Sequence, residues 1–139
     1  MKFLISGGGI CGLTTAIALH QQGLEVVIYE AAKSIKAVGA GLNLSSNAIR
    51  ALSSIDLAKA VMAKSKAQKG GQFFTPSGKL LNYTDFSPLV EKYGIPGLIS
   101  IHRAELHRIL LAQIKDKIPF YTNKPVSYTH LTLPTILLV

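Results

Sequence analysis

The sequence predicts an α/β fold, because a strand, a helix and a second strand follow one another at its start. Residues 2–6 form a short apolar run that is typical of a buried parallel strand, and the glycine-rich sequence GGGICG comes directly after it. Residues 13–22 carry small and apolar side chains on one broad face, which predicts a helix, and Gly23 stands where helix-ending glycines occur. Residues 25–29 are apolar and rich in β-branched side chains, which predicts a second buried strand that ends at Glu30.

The next segment is predicted to contain a loop and two short helices. Residues 31–44 have a loop-like composition that includes a Gly-Ala-Gly sequence. Ser45 or Ser46 can cap a helix that runs to about residue 52, and Asp56 can cap another helix over about residues 57–65.

The remaining elements are a hairpin, a strand and a helix. Residues 72–75 and 79–83 flank a Pro-Ser-Gly sequence, which predicts a β-hairpin with a short turn. The hairpin aromatics Phe73, Phe74 and Tyr83 are expected to be sheet core, and the alternative is that they line a substrate face. Residues 98–101 are predicted to form a strand, and residues 102–116 an amphipathic helix.

The three glycines of the first loop fit the G-x-G-x-x-G pattern of dinucleotide-binding proteins. Gly7 permits the tight turn off the strand, Gly9 lets the backbone approach a pyrophosphate, and Gly12 lets the helix pack against the sheet. The diphosphate then lies at the helix N-terminus, where free N–H groups and the helix dipole favour an anion.

Glu30 follows the second predicted strand, where a carboxylate can accept hydrogen bonds from the two ribose hydroxyls of an adenosine. A carboxylate at this position disfavours a 2′-phosphate. The predicted dinucleotide is therefore FAD or NAD rather than NADP.

Three stretches within residues 1–125 resemble one family: KFLISGGGICGLTTAIALHQQGLEVVIYE, VGAGLNLSSNAIRAL and IHRAELHRILL. In this order and spacing they are similar to the N-terminal part of the FAD-dependent aromatic-ring hydroxylases. This is the p-hydroxybenzoate hydroxylase-like group of flavoprotein monooxygenases, which includes salicylate hydroxylase, zeaxanthin epoxidase and tetracycline-inactivating enzymes. The resemblance implies a three-layer, Rossmann-like FAD-binding domain of the glutathione-reductase type over residues 1–125. Residues 67–101, with the hairpin, would include part of the family's substrate-sheet insertion.

The resemblance also implies a set of FAD-binding residues. Glu30 would bind the adenosine ribose, and Gly41 would let the backbone approach the cofactor. Arg103, at a helix start, would reach the phosphate or ribityl region, because a guanidinium offers forked donors to phosphate oxygens. Ser46 departs from the family, which usually has proline there. The full expected set is Gly7, Gly9, Ile10, Cys11, Gly12, Glu30, Ala31, Gly41, Leu42 and Arg103.

By resemblance, the parent enzyme uses NAD(P)H and O₂ to place an oxygen atom on a small organic, often aromatic, substrate, with FAD carrying the chemistry. The family's later Asp-Gly and Gly-Asp motifs are not found in the 139 residues. The chain is therefore expected to be a C-terminally truncated, inactive fragment whose catalytic residues lie elsewhere. Two alternatives stay open: another FAD-dependent oxidoreductase, such as an amine oxidase or a geranylgeranyl reductase-like enzyme, and a non-catalytic dinucleotide-binding module.

The composition of the chain limits the kinds of partner, metal site and cellular location that we expect. The net charge is +8, but the basic residues are scattered without interleaved aromatics, so we expect a small-molecule substrate and no nucleic acid. A single cysteine excludes an intramolecular disulfide framework, and the four histidines lack the spacing of a metal site. No apolar stretch reaches the ~20 residues of a membrane span, and the start is not a secretory signal, so we expect a cytoplasmic protein. The oligomeric state is left open.

The last segment differs from the rest of the chain. Residues 126–135, VSYTHLTLPT, resemble a translated sequencing-library adapter, and residues 126–139 contain no Asp, Glu, Lys or Arg. We expect residues 126–139 to be a non-native tail. The alternative is an apolar strand with alternating threonines.

Overall fold

The computed structural model describes residues 1–35 and 39–126, and these fall into two units. The first unit contains residues 1–35 and the chain from Asp116 onward, and the second ends at Lys115. The helices are α1 (Ile10–Gln21), α2 (Ser46–Ser53), α3 (Ala58–Ala63), α4 (Ser87–Tyr93) and α5 (Arg103–Ile114). The strands are β1 (Lys2–Ser6), β2 (Glu25–Tyr29), β3 (Gly41–Ser45), β4 (Lys66–Ala67), β5 (Gly70–Phe74), β6 (Leu80–Asp85), β7 (Leu98–His102) and β8 (Phe120–Tyr121).

The first unit is built on a parallel three-stranded sheet in the order β1-β2-β8. The central strand β2 buries three consecutive residues, Val26 to Ile28, as expected of a parallel strand that is covered on both faces. Helix α1 buries Leu13, Ala16 and Ile17. Its end is set by Gly23, which follows the C-cap with a φ of 76°. The β-α-β prediction is confirmed.

The second unit contains an antiparallel sheet in the order β3-β7-β4. Strand β7 buries Ile99 and Ile101 on one face, and helix α5 packs against this strand and against α3. The most deeply buried side chains of this unit are Ile49, Leu57, Val61, Ile99, Leu106 and Leu110. Helix α5 buries Leu106, Ile109, Leu110 and Ile114, so the predicted amphipathic helix is confirmed.

The hairpin β5–β6 also belongs to the second unit, and its predicted position is confirmed within two residues. The prediction that its aromatics form sheet core is wrong for the part of the chain that the structure describes. Phe73, Phe74 and Tyr83 are 63%, 53% and 52% exposed. A two-stranded sheet has no third strand or second layer within it to cover such side chains.

Other boundaries differ from the prediction. Residues 31–44 are not loop throughout, because β3 begins at Gly41. Asp56 does not cap a helix: it has a φ of 59°, and Leu57 is the residue at the N-cap of α3. Ser45 is the N-cap of α2, but its side chain makes no capping hydrogen bond. The elements α4, β4 and β8 were not predicted.

The layer arrangement, the domain limits and the non-native tail stay predictions. The three-layer arrangement and the domain limits, 1–125 with an insertion over 67–101, follow from the family resemblance alone. The expected tail, residues 126–139, lies outside the described residues except for Val126. Across residues 1–35 and 39–126, no helix is long and apolar enough to cross a membrane.

Candidate functional site

The glycine loop connects β1 to the N-terminus of α1. Gly7 leaves the strand with a φ of 104°, in the region that favours glycine, and its N–H donates to the Tyr29 carbonyl at 2.8 Å. The loop thereby turns sharply while it stays bonded to the end of β2. This is the tight turn that the sequence predicts for Gly7.

Gly12 is required by the packing of α1 against the loop. A Cβ on Gly12 would overlap the Gly7 carbonyl oxygen and lie 3.3 Å from Cγ2 of Ile5. The nearest atoms belong to the backbone, which cannot move aside as a flexible side chain can. Gly12 therefore brings the helix close to β1, as predicted.

Gly9 differs from Gly12, because the protein itself leaves room for a side chain there. Its backbone is extended, with φ −77°, and a Cβ would meet no described atom within 4 Å. Gly9 is also the N-cap of α1, whose first N–H groups have no partner within the helix. An uncovered helix N-terminus beside a glycine with open space fits the close approach of an anionic group such as a diphosphate.

Glu30 lies at the end of β2, and its carboxylate is held by backbone donors. Oε2 accepts from the Gly8 N–H at 2.6 Å, and Oε1 accepts from the Ala32 N–H at 2.8 Å. The Glu30 backbone donates to the Tyr121 carbonyl at 2.8 Å and accepts from the Lys124 N–H at 2.9 Å. An ionised carboxylate has about four acceptor positions and can therefore accept from several donors at once.

A small cavity of about 150 Å³ opens beside the Glu30 carboxylate. Gly7, Ala31 and Lys124 are among the residues that line it. The Tyr29 ring, which also lines the cavity, stacks on Tyr121 with 5.6 Å between the ring centroids. Glu30, Lys124 and Tyr29 therefore line a cavity at the carboxyl edge of a parallel sheet, where α/β proteins bind ligands.

A second group of predicted site residues lies in the second unit. Gly41 begins β3 opposite His102 of β7, and Leu42 pairs with Ile101 in the same register. Arg103 is the first residue of α5, and its N–H donates to the Ala40 carbonyl at 3.1 Å. The predicted position of Arg103 at a helix start is correct.

The Arg103 side chain packs against the backbone at Gly39. A Cβ on Gly39 would lie 2.8 Å from Cδ and 2.9 Å from Cβ of Arg103, and Gly39 has a φ of 142°. A Cβ on Gly41, in contrast, would meet no described atom within 4 Å. Gly39 is therefore required by the arginine, whereas the open space at Gly41 fits the expected close approach of a ligand.

The remaining predicted residues occupy the first turn of α1. Ile10 is half-buried, and Cys11 is exposed. Among the side chains in the described ranges, no group of three or more His, Cys, Asp or Glu residues could hold a metal ion.

Sequence reasoning missed the contribution of Gly8 and of residues 120–124. Gly8 is buried, donates to Glu30 and lies against the Phe120 ring. The signal was present in the sequence, because Gly8 is the middle one of three consecutive glycines and stands at a position that the fingerprint leaves variable. The contribution of Phe120 had no comparable signal, because it depends on a strand far along the chain.

Residues 5–85 match the family model described as NAD(P)-binding Rossmann-like domain. The match covers more than half of the 139 residues. The chain belongs to this family.

Individual relatives are oxygenases. The chain is 36% identical over 116 residues to the aurachin C monooxygenase/isomerase of Stigmatella aurantiaca, and the alignment covers 84% of this chain and 30% of the relative. It is 37% identical to the phenazine 1,6-dicarboxylic acid hydroxylase PhzS of Lysobacter antibioticus, covering 83% of this chain and 28% of that one. The resemblance to flavoprotein hydroxylases, drawn from three sequence motifs, is confirmed. The chain spans about 30% of the length of the curated relatives it matches.

Solved structures give the same picture. The tetrameric form of 2-methyl-3-hydroxypyridine-5-carboxylic acid oxygenase matches with a TM-score of 0.75 at 27% identity, over 88% of this chain and 31% of that one. Klebsiella pneumoniae HpxO complexed with FAD and uric acid matches with a TM-score of 0.73 at 28% identity, over 86% and 30% of the two chains. The Rossmann-like α/β fold class predicted from the sequence is thus confirmed.

Proposed function

We propose that this chain is the N-terminal FAD-binding part of a flavoprotein monooxygenase that hydroxylates a small aromatic substrate with NAD(P)H and O₂. The observation that carries the proposal is the open space at Gly9. The described atoms do not require glycine there, whereas a ligand diphosphate at the N-terminus of α1 would. The relatives support FAD as that ligand, since one of the similar structures is a complex with FAD.

The described residues fit the adenosine-diphosphate end of FAD. The first N–H groups of α1 and the neighbouring loop would donate to the diphosphate, with Ile10, Cys11 and Gly12 forming the first turn. Glu30 would accept from the ribose hydroxyls, and Ala31 lines the same cavity. In the second unit, Gly41 and Leu42 would approach the cofactor through their backbone, and Arg103 would donate to its phosphate or ribityl region.

FAD, when bound, supplies the electron transfer and oxygen chemistry, and the protein's own groups bind and orient it. The positive end of the α1 dipole would offset the charge of the diphosphate. Glu30 repels a 2′-phosphate, which favours FAD over NADP in this site. NAD(P)H would then act as the reductant and not as the ligand of the glycine loop.

The same proposal covers the organisation and setting of the protein. Residues 1–125 would form the FAD-binding part, with residues 67–101 contributing to the substrate sheet and residues 126–139 being non-native. The partner is a small-molecule substrate and not a nucleic acid, and the location is the cytoplasm. The 139 residues alone would not catalyse, because they span about 30% of the relatives' length.

Ligand selectivity tests the proposal most simply. The chain is titrated calorimetrically with FAD, NAD⁺ and NADP⁺, and the same series is repeated with Glu30→Ala. We expect FAD and NAD⁺ to bind more tightly than NADP⁺, and the difference between NAD⁺ and NADP⁺ to shrink in the variant. Binding of NADP⁺ as tight as that of FAD would contradict the assignment of Glu30, and no binding of any dinucleotide would contradict the proposal.

The full-length gene product distinguishes the remaining alternatives. Oxygen-dependent consumption of NAD(P)H stimulated by an aromatic acid favours the monooxygenase. FAD reduction by an amine, without NAD(P)H, would identify an amine oxidase-like enzyme instead. A protein that binds the dinucleotide but shows no turnover with either would be a non-catalytic module.

A further inference from the structure

Gly8 is enclosed between two side chains of the first unit. Its N–H donates to Oε2 of Glu30 at 2.6 Å. A Cβ built on Gly8 would lie 2.5 Å from Cζ and 2.7 Å from Cε2 of Phe120, and 3.3 Å from the same Glu30 oxygen. The buried middle of the glycine loop is thus held by a carboxylate and covered by an aromatic ring.

We propose that Glu30 is a positioning residue for the glycine loop, which holds the loop in its binding conformation before any ligand arrives. This role is separate from the acceptance of ribose hydroxyls and deepens the proposed function, on which its consequence for ligand binding rests. Glu30 acts through the Gly8 N–H, and Phe120 fixes the other side of the same glycine.

The anchoring of Glu30 itself supports this role. Its backbone is bonded to Tyr121 on one side and to Lys124 on the other, and its second carboxylate oxygen accepts from Ala32. The carboxylate therefore projects from a fixed point, and a hydrogen bond from an N–H to a charged acceptor is among the stronger ones in proteins. The loop conformation is coupled in this way to residues 120–124, which lie far from it in the sequence.

The glycine at position 8 follows from the same arrangement. Any side chain there would displace the Phe120 ring or the Glu30 carboxylate, whereas a side chain on Gly9 meets no described atom within 4 Å. Gly8→Ala is thus expected to disturb the loop without a ligand, and Gly9→Ala is its matched control in the ligand-free protein.

Amide hydrogen exchange in the ligand-free, ¹⁵N-labelled chain tests the positioning role directly. We expect the Gly8 N–H to exchange about tenfold faster or more in Glu30→Ala. Glu30→Gln should restore protection only in part, because its amide has one acceptor oxygen for two backbone donors. Glu25→Ala is the matched control, since Glu25 begins the strand that Glu30 follows, is exposed and pairs with Lys2.

The outcomes are separable. If the amides of β2 stay protected from exchange in Glu30→Ala, the sheet is intact. A loss of protection that is confined to the Gly8 amide then supports the proposal. Unchanged Gly8 protection in Glu30→Ala overturns it. If Glu30→Ala fails to fold, Gly8→Ala and Glu30→Gln test the proposal instead. Wild-type protection of the amides around residue 8 in both variants would overturn the proposal.

Ligand binding separates positioning from ribose recognition. ADP and 2′,3′-dideoxy-ADP are titrated against the chain and against Glu30→Ala. Direct contact with the ribose alone predicts that the variant binds the dideoxy compound as tightly as the wild type does, and this result would overturn the proposal. A positioning role predicts weaker binding of both compounds. If ADP does not bind at all, the proposed function fails, while the exchange measurement still decides the role of Glu30.

Discussion

Replacing Gly9 by serine separates what the ligand needs from what the fold needs. The Gly9 carbonyl accepts the first helical hydrogen bond, from the Leu13 N–H at 2.9 Å, and its extended backbone suits any residue. Serine is a favoured N-cap residue because its hydroxyl can accept from an N–H of the first turn. The substitution therefore keeps the helix start and adds a side chain only to the open space above it.

The expected magnitudes differ for stability and for binding. Serine and glycine at an N-cap differ by only a few tenths of a kcal/mol, so the free energy of unfolding should be unchanged or slightly higher. A displaced diphosphate would lose about two charge-assisted hydrogen bonds of roughly 1.5–3 kcal/mol each. The loss of ~3–6 kcal/mol corresponds to a Kd for ADP or FAD that is about 10²–10⁴-fold higher.

Gly12→Ala is the contrasting variant. Its Cβ would overlap the Gly7 carbonyl oxygen, and relief requires α1 to move away from β1. Overpacking of this kind costs about 1–3 kcal/mol of unfolding free energy. Gly12→Ala should therefore be destabilised, and its ligand binding should fall as a consequence of the displaced helix.

Urea unfolding followed by circular dichroism and calorimetric titration with ADP measure the two effects in the same samples. We expect Gly9→Ser to unfold at the wild-type midpoint and to bind poorly, and Gly12→Ala to unfold at a lower midpoint. A Gly9→Ser protein that binds ADP with wild-type affinity would refute the reasoning, because the space above Gly9 would then not be the diphosphate site.

Three further predictions concern other parts of the chain. Gly39→Ala should lower the free energy of unfolding by about 1–2 kcal/mol, because its Cβ would strike Arg103 at a φ of 142°, whereas Gly41→Ala should not. Equal urea midpoints for the two variants would contradict this. The hydrogen bond from Arg108 lowers the pKa of Glu105. The contribution of this interaction to stability is therefore present above the ordinary carboxyl pKa and is lost as the pH falls through the depressed value. Acid unfolding of Glu105→Gln should therefore depend less on pH in that window, and an unchanged profile would be inconsistent with the cause given. The 139-residue chain should not oxidise NADH above background with aromatic acids, and turnover in a spectrophotometric assay would show that the catalytic groups are already present.

Much of the fold was predictable, because its signals are local. The apolar run of β2 and the glycine that ends α1 each act within a few residues, and the Pro-Ser-Gly turn predicts its hairpin in the same way. Helix α4 was missed although its signals are present, with Pro88 in its first turn and Gly94 left-handed after its end. Strand β8 could not be predicted, since two residues carry no periodicity and their pairing with β2 is set by tertiary structure.

Asp56 shows how a local signal can be ambiguous. Aspartate favours both helix N-caps and left-handed turns, because its short side chain bonds to nearby backbone groups. Asp56 has a left-handed backbone conformation with a φ of 59°, and the helix begins two residues later at Ala58. The residue type marked a helix boundary correctly but not the geometry of that boundary.

The candidate site, like the fold, was predictable only where its signals are local in the sequence. Glu30 was predictable, because the fingerprint fixes its place at the end of β2. The use of its carboxylate to hold Gly8 was not, since it depends on the direction of a side chain and on Phe120, which reaches the loop only in the folded chain.

The central claim is that the loop between β1 and α1, with Glu30, binds the adenosine-diphosphate end of a dinucleotide. Titration of the ¹⁵N-labelled chain with ADP, followed by two-dimensional NMR, tests it most directly. The account predicts saturable shifts of the amides from Gly7 to Gly12 and of those around Glu30, and added FAD should move the same amides to new, FAD-bound positions. Shifts confined to the β5–β6 hairpin, or no shifts at millimolar ADP, would contradict it.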